Sequence, residues 1–291
     1  MLTLEKNGLK LVLTVPGAYY RGTRFDHAGV FRKIEKDNRP YADEWFPVYD
    51  PLKHDAVCGP SEEFGEIGFD TAAPGDSFLK IGVGWLRRPD TEPYDRFRLY
   101  EIVDEGQRTL ERTEECLVFR QVLDAYDYVK TVRILSSACF EIVHTLRNTG
   151  RGLLRCTHYN HNFFTLDHQA IGAEREIDFP FRPDGHWRSA YDHVHLTGSG
   201  IRFTGPVSSE GPSVFMGDLH APAPVPIDFR VRDRESGLGV HVQGDRPFTH
   251  MVFWANGRVA CIEPYILLEM QPGDTITWTL RYGLEEAATH S

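Results

Sequence analysis

The chain has 291 residues, of which 41% are hydrophobic and 25% charged, a composition that supplies a core and excludes a disordered chain. A formal net charge of −10 argues against nucleic acid and against an anionic membrane surface, because both need a concentrated positive field on the protein. The five cysteines, at 58, 116, 139, 156 and 261, form no C-x-x-C pair and read as small buried residues of a cytoplasmic protein in a reducing compartment.

The first apolar run, Leu9 to Val15, is short and broken by Lys10, which predicts a strand rather than a signal peptide or a spanning helix. The segment Tyr19 to Asp26 carries Arg21 and Arg24, planar donors suited to hydroxyls or to an anion. From there on, alternation of apolar and polar residues with a period of two dominates. It predicts strands over 78–83, 97–103, 116–123, 126–135, 140–147, 227–231, 238–242, 250–254, 259–263 and 275–282. Turn formers separate them, among them Asn148-Thr149-Gly150, Ala255-Asn256-Gly257 and Gln271-Pro272-Gly273-Asp274. With no repeat of 20–50 residues and no long flexible linker, the expectation is one all-β domain over 1–291, with two large sheets packed face to face.

Three polar interruptions of this pattern carry chemistry. Residues 156–164 read CTHYNHNFF. As a strand they send Tyr159, His161 and Phe163 to one face and His158, Asn160 and Asn162 to the other. The two histidines then diverge, so metal binding by H-x-x-H would require a bulge, and the expectation is no metal and no cofactor. The plain alternative for His161 is a core histidine bonded to a backbone carbonyl. Asp192, in Tyr191-Asp192-His193-Val194-His195-Leu196, shares a face with Val194 and Leu196, with an ordinary turn aspartate as its alternative.

The third interruption is Glu263, within the apolar run Val259 to Ile266. An ionised carboxylate in a dry core costs several kcal/mol unless paired, which places Glu263 at a cleft or against a partner. Pro264 holds it extended and removes a backbone donor, as at a strand end or edge. The alternative is a strand-end glutamate in water.

In this order the three segments resemble the galactose mutarotase-like superfamily, which includes the aldose 1-epimerases and glucose-6-phosphate epimerases. Its Asn-His-x-Tyr-Phe-Asn-Leu segment, bearing the catalytic histidine, is similar to Asn160-His161-Asn162-Phe163-Phe164-Thr165-Leu166, with Phe163 and Thr165 as departures. Its late catalytic glutamate, Pro-Gly turn and closing aromatic strand match Glu263, Gln271 to Asp274 and Tyr282. Its Asp-His dipeptide resembles Asp192-His193, with Asp218 a competitor for the sugar-holding role. In the first third the segment from Gly59 to Gly65, with Glu62 and Glu63, stands where many aldose epimerases have a second histidine, which is absent here.

The resemblance implies a β-supersandwich and anomer interconversion of a small-molecule sugar. Glu263 as carboxylate would take the C1 hydroxyl proton while His161 as imidazolium gives one to the ring oxygen. A free imidazole with a pKa of about 6.5 is mostly neutral at pH 7, so this needs a nearby carboxylate, either Asp192 or Glu263. Expected sugar contacts are Tyr159 and Tyr265, which neighbour the acid and base, together with Asn160, Asp192, Arg24 and Glu62. Two other readings stand beside it. One is a glycoside hydrolase or lyase pairing Glu263 with Glu62 or Glu63 at about 5–9.5 Å; the other is a non-catalytic carbohydrate-binding protein.

Overall fold

The computed structural model describes residues 1–287, and these are all-β apart from a single 3₁₀ turn, Phe69–Thr71. Among the described residues no helix is long and apolar enough to cross a membrane. The larger of two main sheets has ten strands, in spatial order Val194–Leu196, Gly200–Phe203, Arg175–Asp178, Pro226–Asp233, Leu238–Pro247, Thr275–Glu286, Cys139–Asn148, Tyr126–Ser136, Cys116–Val122 and Gln107–Arg112. Period-two alternation fixes its inner face: along the long central strand Trp278, Leu280, Tyr282 and Leu284 are buried while Thr277, Thr279, Arg281 and Gly283 are not.

Facing it lies a five-stranded sheet ordered Val214–Leu219, His250–Ala255, Ala260–Met270, Leu154–Phe163 and Gly59–Phe64. Phe64 meets Tyr128 at 5.3 Å and Trp278 at 6.2 Å, so the inner faces interdigitate as expected of sheets packed face to face. Leu2–Lys6, Leu9–Leu13, Phe31–Lys36 and Arg39–Ala42 form a four-stranded sheet, and Ser77–Lys80, Gly84–Arg87 and Ile102–Asp104 a three-stranded one. All five cysteines are free thiols; Cys58, Cys156 and Cys261 are buried as expected, whereas Cys116 and Cys139 are only half-buried.

Three predicted strands need correction. The strand expected over 78–83 ends at Lys80, with 81–83 in a turn. Residues 97–103 alternate like a strand, yet only Ile102–Asp104 pairs. Asp95 captures the segment before it, its Oδ1 accepting from Phe97 N at 2.9 Å and its carbonyl from Arg98 N at 3.1 Å. Pro264, in turn, does not end a strand: Ala260–Met270 runs through it in the interior of the sheet. The first half of that strand pairs with His250–Ala255, and its second half, Ile266 to Met270, with Leu154 to His158. Proline has no N–H to extend the second ladder, so the backbones part there. The side chain of Asn162 spans the gap, donating Nδ2 to the Ile262 carbonyl at 2.8 Å.

Candidate active site

Continuing the register of Leu154 opposite Met270 and His158 opposite Ile266 places Tyr159 opposite Tyr265 and His161 opposite Glu263, all on the face turned away from the ten-stranded sheet. The side chains confirm it. Tyr159 and Tyr265 stack at 4.2 Å, and His161 Nε2 lies 3.1 Å from Glu263 Oε1. A sequence separation of a hundred residues is thereby closed by sheet pairing, just where the ladder splays and side chains replace backbone bonds.

The pair forms part of the wall of a hollow of about 720 Å³, which Arg24, Arg96, Trp254 and Tyr265 also line. The His161 ring stacks on Phe163 at 3.8 Å and meets the edge of Trp254 at 5.6 Å, which fixes its plane, and its Nδ1 has no hydrogen-bond partner among the described residues. Burial, reinforced by the guanidiniums of Arg24 and Arg96, drives the imidazole well below its ordinary pKa. Burial likewise pushes the Glu263 carboxyl up to about 8, although Arg24 and Arg96 oppose the rise. Burial thus disfavours a charge on either partner and favours the neutral form of the pair, imidazole beside carboxylic acid. The imidazolium expected from the sequence is disfavoured by burial first and by the nearby cations second, whereas the same cations favour the expected Glu263 carboxylate against its burial.

Behind the pair stands a buried charge cluster. Glu63 accepts from Arg24 Nε at 2.8 Å, Lys80 Nζ at 3.0 Å and the Tyr159 hydroxyl. Burial alone would raise its pKa; Lys80, Arg24 and Arg96 instead hold it well below the usual carboxylate range. Arg24 Nη2 also donates to the Tyr159 hydroxyl at 3.0 Å, and Arg96 Nη1 to the hydroxyls of Tyr159 at 3.3 Å and Tyr265 at 3.1 Å. One ionised carboxylate thus locks two arginines and a stacked tyrosine pair around the catalytic candidates.

Of the sequence-predicted contacts, Arg24 and Tyr265 line the hollow, and Tyr159 is buried behind it on the same face, holding both arginines. Asn160 and Glu62 do not reach it. They pair across the ladder on the reverse face, where Asn160 Nδ2 donates to Glu62 Oε1 at 3.1 Å and Glu62 contacts His144 and Lys130 between the two main sheets. The period of two decides this: Glu63, opposite Tyr159, points to the site, and Glu62, one residue earlier, points away. Asp192 is exposed ahead of Val194–Leu196 and is absent from the lining. Asp218 instead accepts from His186 N at 2.9 Å and is also outside the lining, although Gly217 is within it. Neither aspartate supports His161.

His158 and His161 diverge as predicted, with His158 packed on Phe64 at 4.6 Å in the inter-sheet core. There Glu62, His144 and His158 each offer an atom within 4.8 Å of the others. The Lys130 ammonium, in contact with Glu62, already supplies the positive charge that this carboxylate needs. Sequence reasoning missed Arg96, His54 and Phe97. Arg96 and Phe97 lie in the turn that mimics a strand, and His54 in an irregular segment with no periodicity to flag it.

No protein-family model and no curated protein matches the sequence. Solved structures do. The galactose mutarotase related enzyme of Lactobacillus acidophilus superimposes with a TM-score of 0.60 at 12% identity over 99% of this chain and 98% of its own. The Slr1438 protein of Synechocystis sp. PCC 6803 gives 0.60 at 16% identity over 98% and 96%. The aldose epimerase homologue of C. elegans gives 0.52 at 13% identity over 98% of each chain.

Proposed function

We propose, on the premise that the chain has the galactose mutarotase-like fold of these structures, that it is an aldose 1-epimerase interconverting the α and β anomers of a reducing sugar. The observation that carries this reading is the His161–Glu263 contact, 3.1 Å between a base and an acid of altered pKa in the wall of a hollow with room for a sugar.

Anomerisation needs one proton given and one taken. As the C1 hydroxyl loses its proton, the C1–O bond to the ring oxygen breaks, C1 becomes an aldehyde and the ring oxygen gains a proton. Rotation about C1–C2 and closure on the other face return both protons. The neutral pair does this with Glu263 as donor and His161 as acceptor, and closure reverses the roles. The tautomer with imidazolium and carboxylate holds the same single proton and does the same work with the roles exchanged. What the pair cannot lose is that proton, nor can it take up a second one.

Arg24, Arg96 and the Tyr265 hydroxyl supply donors for ring hydroxyls, and the Trp254 and Tyr265 rings supply apolar surface for sugar C–H faces. The hydrolase alternative weakens, because Glu62 lies on the reverse face and Glu63 is tied to three cations. Exchange between anomers, followed by NMR over neutral, N-acetylated and acidic aldoses, tests the proposal. Wild type accelerates exchange for at least one sugar, and His161→Ala and Glu263→Gln each lose it by about 10²–10⁴-fold while still binding. Absence of acceleration for every sugar would favour a binding protein.

A further inference from the structure

The hollow is larger than one sugar ring. At about 30 Å³ per water-sized occupant its 720 Å³ takes roughly two dozen non-hydrogen atoms, about twice the number in an aldohexose. Aromatic and planar groups link the catalytic pair to Phe97 through the buried Phe25, which lies behind the lining. His161 lies 6.1 Å from Phe25; the Arg24 guanidinium sits 4.5 Å from the Phe25 ring centre and 5.3 Å from that of Phe97; Phe97 in turn lies 4.7 Å from His54. Arg24 and His54 cover part of the Phe97 ring, yet the residue is 57% exposed, so the remainder of the ring is open.

A lone exposed phenylalanine is ordinary. Three facts set this one apart. It lines the same hollow as the catalytic pair. Its neighbour His54, also in the lining, has a buried Nδ1 without a hydrogen-bond partner among the described residues. Its turn is tied down at both ends: Arg98 pairs with Asp90 at 2.7 Å, Tyr100 N donates to Thr23 Oγ1 at 3.1 Å, and Phe97 N donates to Asp95. The ring is therefore presented ready-positioned, so little ordering cost falls on a ligand that stacks there.

We propose that the outer half of the hollow is a second sugar subsite, in which the next ring of a reducing oligosaccharide lies against Phe97 while its reducing-end ring meets His161 and Glu263. The inference rests on the epimerase reading and names its substrate class as reducing disaccharides or longer chains rather than free monosaccharides.

The experiment compares anomer exchange of glucose and galactose with that of maltose, cellobiose and lactose, in wild type and in Phe97→Ala, with the melting temperature as a folding control. Wild type is expected to show a higher kcat/KM for at least one disaccharide than for its reducing monosaccharide. Phe97→Ala then raises the KM for that disaccharide about tenfold more than for the monosaccharide, the effect of covering roughly half a phenylalanine side chain. Equal changes for both, or exchange of monosaccharides alone, would overturn the subsite. If wild type exchanges no sugar, the epimerase reading fails by itself. Saturation-transfer contacts then decide the subsite: contacts to the non-reducing ring of a disaccharide that vanish in Phe97→Ala uphold it, and their absence in wild type overturns it.

Discussion

The two faces of the strand Leu154–Phe163 bury polar groups equally well and use them differently. Toward the ten-stranded sheet, Asn160 meets Glu62, a carboxylate that His144 and Lys130 hold well below the usual range against the burial that would raise it. Toward the hollow, His161 meets Glu263, a carboxylate that burial pushes up to about 8. Both carboxyl groups are buried. One meets the Lys130 ammonium in the core between the sheets; the other, whose protonated form burial favours, lines a cavity. Burial of a polar residue is therefore a poor sign of function by itself, and carboxylates whose environments drive them in opposite directions are a good one.

Substitutions on the two faces sharpen that contrast. The largest effect is expected at the hollow: the two single variants lose about 10²–10⁴-fold of exchange. On the core face Lys130→Met leaves Glu62 short of its cation. It is expected to lower unfolding stability in urea at pH 7 by about 3–5 kcal/mol without changing the exchange rate per folded molecule. A loss of exchange larger than the folded fraction explains would break the distinction.

The raised pKa of Glu263 also predicts a stability cost of the site. Between its unfolded pKa of about 4.3 and its folded value of about 8, the unfolded chain releases a proton that the folded chain keeps. Wild type therefore loses stability as pH rises through that window. Glu263→Gln removes the loss, so its melting temperature relative to wild type should climb from pH 4.5 to 8, by an equivalent of a few kcal/mol, and level off above. A difference independent of pH would show that Glu263 is not held protonated. The smallest effect is expected at exposed Asp192, where Asp192→Ala should change stability by less than about 0.5 kcal/mol and leave exchange unaltered.

Much of this site was legible in the sequence because sheets obey a period of two. The alternation separated His161 from His158, and the improbability of a buried carboxylate singled out Glu263. The same rule would have chosen Glu63 over Glu62 had the pairing of Gly59–Phe64 with Leu154–Phe163 been known, but pairing partners are a tertiary fact. Asp192 illustrates the reverse error, a dipeptide match without a structural context. The protonation of the pair was illegible for a different reason. It depends first on burial at the wall of the hollow, a tertiary property, and then on Arg24 and Arg96, which arrive from an irregular segment and from a turn that reads as a strand.

The central claim is that His161 and Glu263 act as one proton-handling unit, and anomer exchange in the double variant His161→Ala, Glu263→Gln tests it most directly. If they act together, the double variant exchanges a responsive sugar no more slowly than the worse single variant. If the two losses multiply, each group contributes alone and the shared-proton account is contradicted.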